Sequence, residues 1–184
     1  MNYFLAQALN NQWANHRLLD ACAQLNTAEY EAYRTSFFPS IQATLCHVLE
    51  VDRYYLTALE GDVAGQEQDF SEMLAFTQLR ESQDRTDRQL ATFCENLRHE
   101  DLARSVDLVR ADGRGRERID RLLLHLFEHQ IHHRGQVHTM LSATHVDPPQ
   151  LDEFFLDCDR PFRRQEEALL QLDETRVWRA YRTD

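Results

Sequence analysis

Five of the chain's nine histidines fall within residues 122–140, LLLHLFEHQIHHRGQVHTM. Set on a helix at about 100° per residue, His129 and His133 share one broad stripe with Leu122, Leu126, Val137 and Met140. His125 and His132 border that stripe, and His138 points the other way. Imidazoles four residues apart stack on one helix face, so both can reach a single metal ion. Two rings on a core-facing stripe also need polar partners, since a buried ring without one is costly. A metal would serve both. HxxxH by itself suits hydrogen-bonded core histidines equally well, so the metal reading needs a third ligand. The protease arrangement HExxH is absent, because Glu128 precedes His129.

The third candidate is His47, which borders the apolar face of an earlier helix and can turn toward a bundle interior. Asp52, five residues on, reads as a surface charge rather than the acceptor that a metal-bound imidazole usually finds for its other N–H. His125, His132 and Gln136 lie beside the ligand stripe. They can orient ligands or shuttle a proton, since an unperturbed histidine titrates near neutrality. Border packing or hydrogen bonding to a ligand is the commoner role for such residues. Arg134 reads as a helix anchor through a carboxylate, Gly135 as a close-packing position, and His16 as a packing residue. Asn15, a weak helix former, reads as a hydrogen bond to a neighbouring helix.

Four long helices must position these groups. The first covers about residues 2–25. The second covers about 39–59 and opens at Phe38-Pro39-Ser40, with proline tolerated in a first turn. The third covers about 71–98, capped by Ser71. Its middle, RESQDRTDRQ, is polar all round and reads as exposed or lining a wet groove. The fourth covers about 117–144. Between the last two, Val106, Leu108 and Arg110 alternate with polar residues before Ala111-Asp112-Gly113, a small hairpin or extended loop turning at Asp-Gly. Val146-Asp147-Pro148-Pro149 follows the fourth helix, and residues 151–156 make a short apolar segment packed across one end. The expected fold is all-α: a four-helix bundle over residues 1–158, up-and-down or crossed, with a polar extension, 159–184, holding one more helix. Bundles of this kind build metal sites from side chains on facing helices. Leu124, Phe127 and Ile131 give the fourth helix a second apolar side, which suggests a homodimer through it.

Composition narrows the function. At 184 residues the chain suits one domain with a real core. A net charge of −11 argues against a duplex nucleic-acid surface. The local strip Arg110, Arg114, Arg116, Arg118 and Arg121 is interleaved with acids and reads as solvated. No apolar run approaches the ~20 residues of a membrane span, and no secretory leader is evident, so a cytoplasmic protein is expected. The four cysteines are scattered without a CxxC, as buried small hydrophobes or free thiols.

The block HLFEHQIHHRGQVHTML at 125–141 closely resembles the fourth-helix motif of the DinB/YfiT-like bundle proteins. The likeness extends to Gln12-Trp13-Ala14-Asn15, to the histidine of LCHVLEVDRYYL, and to Val146-Asp147-Pro148-Pro149 with Asp152, covering roughly residues 1–157. It implies a divalent metal held by His47, His129 and His133, the set that the facing argument also selects. The chain departs from the family in one place, carrying His145 where a glycine usually follows the fourth helix. The family includes thiol-dependent S-transferases and a thiol-dependent isomerase. Its name refers to expression after DNA damage and implies no DNA binding.

These readings lead to a metal-dependent enzyme that activates a low-molecular-weight thiol or water for S-transfer, isomerase or hydrolytic chemistry on a small-molecule substrate. Three neutral histidines leave an open coordination position, as a catalytic site requires. They suit zinc or nickel ahead of iron, copper or manganese. The alternatives are a non-catalytic metal-binding stress-response bundle and a metal-free partner-binding bundle. The first of these is favoured by the lack of a clear carboxylate base beside the histidines.

Overall fold

Each long helix begins where a side chain or an extended residue can end the preceding loop. In the computed structural model, which describes residues 1–69, 71–110 and 113–183, helix α1 covers Tyr3–Cys22, with the Asn2 side chain accepting the Leu5 N–H. A short α2, Thr27–Glu31, follows; Asn26 and Glu29 cap it reciprocally. Helix α3, Ile41–Leu59, is capped by Ser40, which accepts the Ala43 N–H at 3.0 Å. It stops at Gly61, whose φ of +78° a residue with a Cβ adopts only at a cost. Helix α4, Phe76–Asn96, starts later than expected. Ser71 does not cap it; its N–H and hydroxyl are both spent on Asp69 Oδ1, at 2.9 and 2.5 Å.

Helix α5, Ile119–Leu141, is the expected fourth long helix. A two-stranded antiparallel ribbon precedes it, β1 (Ser105–Arg110) and β2 (Gly113–Arg118), in the register Ser105↔Arg118 to Arg110↔Gly113. Ala111 and Asp112, at the expected tip, lie outside the described residues. The ribbon is docked on α3 by Tyr54, whose hydroxyl donates to the Val109 carbonyl at 2.7 Å. Gln66 grips the same strand through Asp107 and Val109. His145 forms no left-handed cap after α5; it pairs with Glu29 at 2.9 Å.

The apolar residues form two clusters, one toward each end of the bundle. The first joins Leu5–Trp13 of α1, Leu56–Leu59 of α3, Leu90–Leu97 at the end of α4 and Ile119–Phe127 of α5. The second joins Leu18–Cys22, Ile41–Cys46, Leu79 and Val137–Leu141. The shared ends give the directions. The amino-terminal halves of α1 and α5 lie with the carboxyl-terminal halves of α3 and α4, so the bundle runs up, down, down, up. Helix α5 packs against α3 and α1, and α4 completes the ring between α1 and α3. The long connection of residues 60–75 allows α3 and α4 to run parallel.

The polar tail is fastened rather than trailing. Helices α6 (Arg160–Leu170) and α7 (Glu174–Val177) follow the apolar segment. Arg163, 1% exposed, pairs with Glu153 at 2.8 Å and Glu167 at 2.9 Å. Arg17 of α1 grips Glu166 at 2.6 Å. Phe155 stacks on Trp13 with centroids 5.4 Å apart.

Candidate metal centre

His47 on α3 and His129 and His133 on α5 face one another because those two helices are antiparallel neighbours. One ligand atom from each of the three lies within 4.8 Å of the others. His47 Nε2 and His129 Nε2 are 3.1 Å apart. Two nitrogens bound tetrahedrally at ~2.0–2.1 Å from one ion would be about 3.3 Å apart, so the spacing fits a shared metal. Burial, reinforced by the rings of His133, His47, His125 and His132, pushes His129 down to about 3. Burial also lowers His133, against the opposing effect of its bond to Gln136. Both rings are therefore neutral near pH 7, with lone pairs available as a metal needs.

One of the rings is held by a neighbour outside the group, and a second has a carboxylate close by. His133 Nδ1 donates to Gln136 Oε1 at 2.7 Å, which leaves its Nε2 as the free donor atom. Glu50 Oε2 lies 3.6 Å from His47 Nδ1, just beyond hydrogen-bond reach. Buried His129 Nδ1 has no hydrogen-bond partner among the described residues. Phe38 covers the group, its ring centroid 4.3 Å from that of His47 and 5.6 Å from that of His133.

The bordering candidates occupy the rim. His132 Nε2 accepts from Gln136 Nε2 at 3.2 Å, so Gln136 ties His132 to His133. His125 stacks edge-on against Tyr55 at 5.4 Å and lies 6.3 Å from His129. A cleft of about 400 Å³ opens on this side, between His125, His129, His47, Glu50, Tyr54 and Tyr55. His138 bonds the Pro149 carbonyl and His16 pairs with Asp20, both away from the group.

Several sequence expectations need correction. Asp52 is not a surface charge: it is 2% exposed and accepts from Gln83 at 2.8 Å and from Gln130. The carboxylate near His47 is that of Glu50, legible only as an acid three residues along the same helix. Arg134 anchors its helix through amides, not a carboxylate. It donates to Asn11, to Asn15 at 3.1 Å and to Gln130 at 3.2 Å. Asn15 then passes its own amide N–H to Asp87 at 3.0 Å, so cation and acid are joined through an asparagine. The middle of α4 is exposed on one side, at Glu81, Arg85, Arg88 and Gln89, but buries Ser82, Gln83, Thr86 and Asp87 on the other, and Gln83 and Asp87 join this layer. Gly135 packs against nothing; a Cβ there would meet no atom within 4 Å.

Fold and site together define a helical bundle with a three-histidine group able to hold a metal ion. The family model described as the DinB family matches residues 1–167, and the chain belongs to that family. No curated protein matches it. Among the described residues, no helix is long and apolar enough to cross a membrane.

Proposed function

We propose that this protein is a divalent-metal-dependent enzyme that activates a low-molecular-weight thiol, or water, for S-transfer, isomerase or hydrolytic chemistry. The observation carrying this reading is the convergence of three imidazoles, one of them oriented by Gln136, beside an open cleft. Zinc or nickel bound there would supply the Lewis acidity that deprotonates a thiol or lowers the pKa of water. The chain's residues do the rest. Gln136 fixes the tautomer of His133, and Phe38 shields the group from water on one side. Among the described residues His125 makes no hydrogen bond, so its ring nitrogens are placed to take the proton an incoming thiol or water releases. Membership of the DinB family supports the metal; the thiol rests on the resemblance to thiol-dependent members. This chemistry belongs in the cytoplasm, where small thiols are kept reduced.

Elemental analysis of tag-free protein tests the proposal. About one divalent ion per chain is expected in the wild type, with loss in His47→Ala and His129→Ala. A wild type still metal-free after incubation with zinc or nickel would sink it. Loaded protein that turns over no thiol or water substrate against a panel of electrophiles would leave a non-catalytic metal-binding bundle.

We also propose a homodimer through the outer side of α5. Leu124 and Ile131 are 61% and 56% exposed there, while Phe127 belongs to the bundle's own core. Light scattering should give twice the chain mass of 21.7 kDa. Leu124→Glu with Ile131→Glu should return the monomer mass; a wild type already at that mass contradicts the dimer.

A further inference from the structure

Two clefts flank the histidine group along α5, and their chemistry differs. The one toward the start of α5 carries acids and aromatics: Glu50, Asp69, Tyr54 and Tyr55. The other, of about 620 Å³, lies toward the helix end and is bounded by Arg34, Thr35, Ser36, His132, Gln136 and Thr139. Among the described residues lining it none is acidic, in a chain with 31 Asp and Glu and a net charge of −11.

Arg34 has the geometry of an anion receptor. Its Nη1 donates to the Ala32 carbonyl at 3.0 Å, and its backbone N–H to the Pro39 carbonyl at 2.8 Å, so both the loop and the side chain are held. No carboxylate among the described residues lies within ion-pair distance of the guanidinium. Glu29, which feels its charge, is instead engaged by the Asn26 N–H at 3.1 Å and by His145 at 2.9 Å. The remaining guanidinium N–H groups are free to present the fork that fits a carboxylate. Three hydroxyls and the Gln136 amide surround the same space. Gln136 ties this wall to the metal group, since it bonds both His132 and His133. The cleft is of the size that takes a small peptide-like molecule.

We infer that this cleft is a carboxylate subsite. The thiol substrate carries a carboxylate that lies against Arg34 and the hydroxyls beside it, with its sulfur toward His129 and His133. The second substrate enters by the Tyr54–Tyr55 side, whose acids repel an anion. The inference rests on the metal–thiol reading above, and its test separates the two.

Cobalt-substituted protein would be titrated with glutathione and with its diamide, following the thiolate-to-cobalt absorption band. Glutathione should bind roughly tenfold more tightly than the diamide, the scale of one hydrogen-bonded charge pair. Arg34→Gln should abolish the difference and Arg34→Lys retain part of it, with cobalt content unchanged in both. Equal affinities in the wild type, or an acid preference that survives Arg34→Gln, would overturn the subsite. If cobalt does not bind, or binds without a thiolate band, the metal or thiol reading fails. The subsite is then decided by the NMR signal of the Arg34 Nε–H with S-methylglutathione and its diamide. A shift with the acid alone upholds the subsite, and no shift overturns it.

Discussion

Replacing Arg134 with methionine is expected to cost about 3–5 kcal/mol of folding stability, the scale of a buried charge assembly that loses one partner. Arg134 is 5% exposed and is the cation of a layer containing two fully buried acids, Asp52 and Asp87. Methionine would fill much of the volume but leave the side-chain oxygens of Asn11, Asn15 and Gln130 without their donor. The acids would then face only amides. Burial, with Asp87 adding to it, already raises Asp52 to about 7; burial raises Asp87 to about 6. Both values lie above the ~3.9 of an unfolded chain, so the folded protein holds protons that the unfolded one releases. The contribution of these carboxyls is therefore most favourable below about pH 4 and is lost as pH rises through 6 to 7. The Arg134→Met deficit should be larger at pH 8 than at pH 5, because only the protonated acids tolerate the missing cation. Urea unfolding at the two pH values measures this. A cost below about 1 kcal/mol at pH 8 would show that the layer does not depend on its arginine.

Zinc at a hundred times its dissociation constant is expected to stabilise the wild type by about 2.7 kcal/mol and to leave His129→Ala unmoved. For a chain of this size the gain corresponds to roughly 5–10 °C in Tm. The contrast is sharp because His129 is one of three rings packed in a triangle, with centroids 5.1 Å from His47 and 4.4 Å from His133. Removing it leaves two protein ligands, His47 and His133, where three are needed to hold the ion firmly. It also removes a buried Nδ1 that nothing satisfies, which offsets part of the packing lost in the metal-free variant. Calorimetry with and without zinc gives both numbers. An equal rise in wild type and variant would place the ion elsewhere on the surface.

The apolar stripes of α3 and α5 were legible because helical periodicity reports burial whenever the buried residues are apolar. The same rule misread α4. Gln83 and Asp87 are buried because other helices satisfy them, while Thr86 is satisfied by the Ser82 carbonyl of its own helix; a layer of mutually bonded polar groups looks like surface to any reading of hydrophobicity. Asp52 was misjudged for the same reason, since its partners Gln83 and Gln130 come from α4 and α5. Helix α2 was missed although Asn26 and Glu29 spell a capping box, because five residues carry no periodicity. The direction of α4 was not legible either, since a connection as long as residues 60–75 permits a return on either side. Arg163 is buried against Glu153, a pairing between two segments that no local pattern announces. Among the candidate site residues, the helix positions of the histidines could be read, but their tautomers could not. That of His133 depends on Gln136 occupying a particular rotamer.

The polar layer between the two apolar clusters also works as an alignment mark. Asn11 and Asn15, Asp52, Gln83 and Asp87, and Gln130 and Arg134 all fall at one level of the four helices. A bundle with a purely apolar interior tolerates one helix sliding along another by two turns, because leucine meets leucine again. Here such a slide would press an aspartate or the arginine into aliphatic packing and strip it of its partners. Only one offset between α3 and α5 keeps the layer whole, and at that offset His47 stands opposite His129 and His133. The buried charges act as a vernier for the histidines, setting the height at which three imidazoles meet.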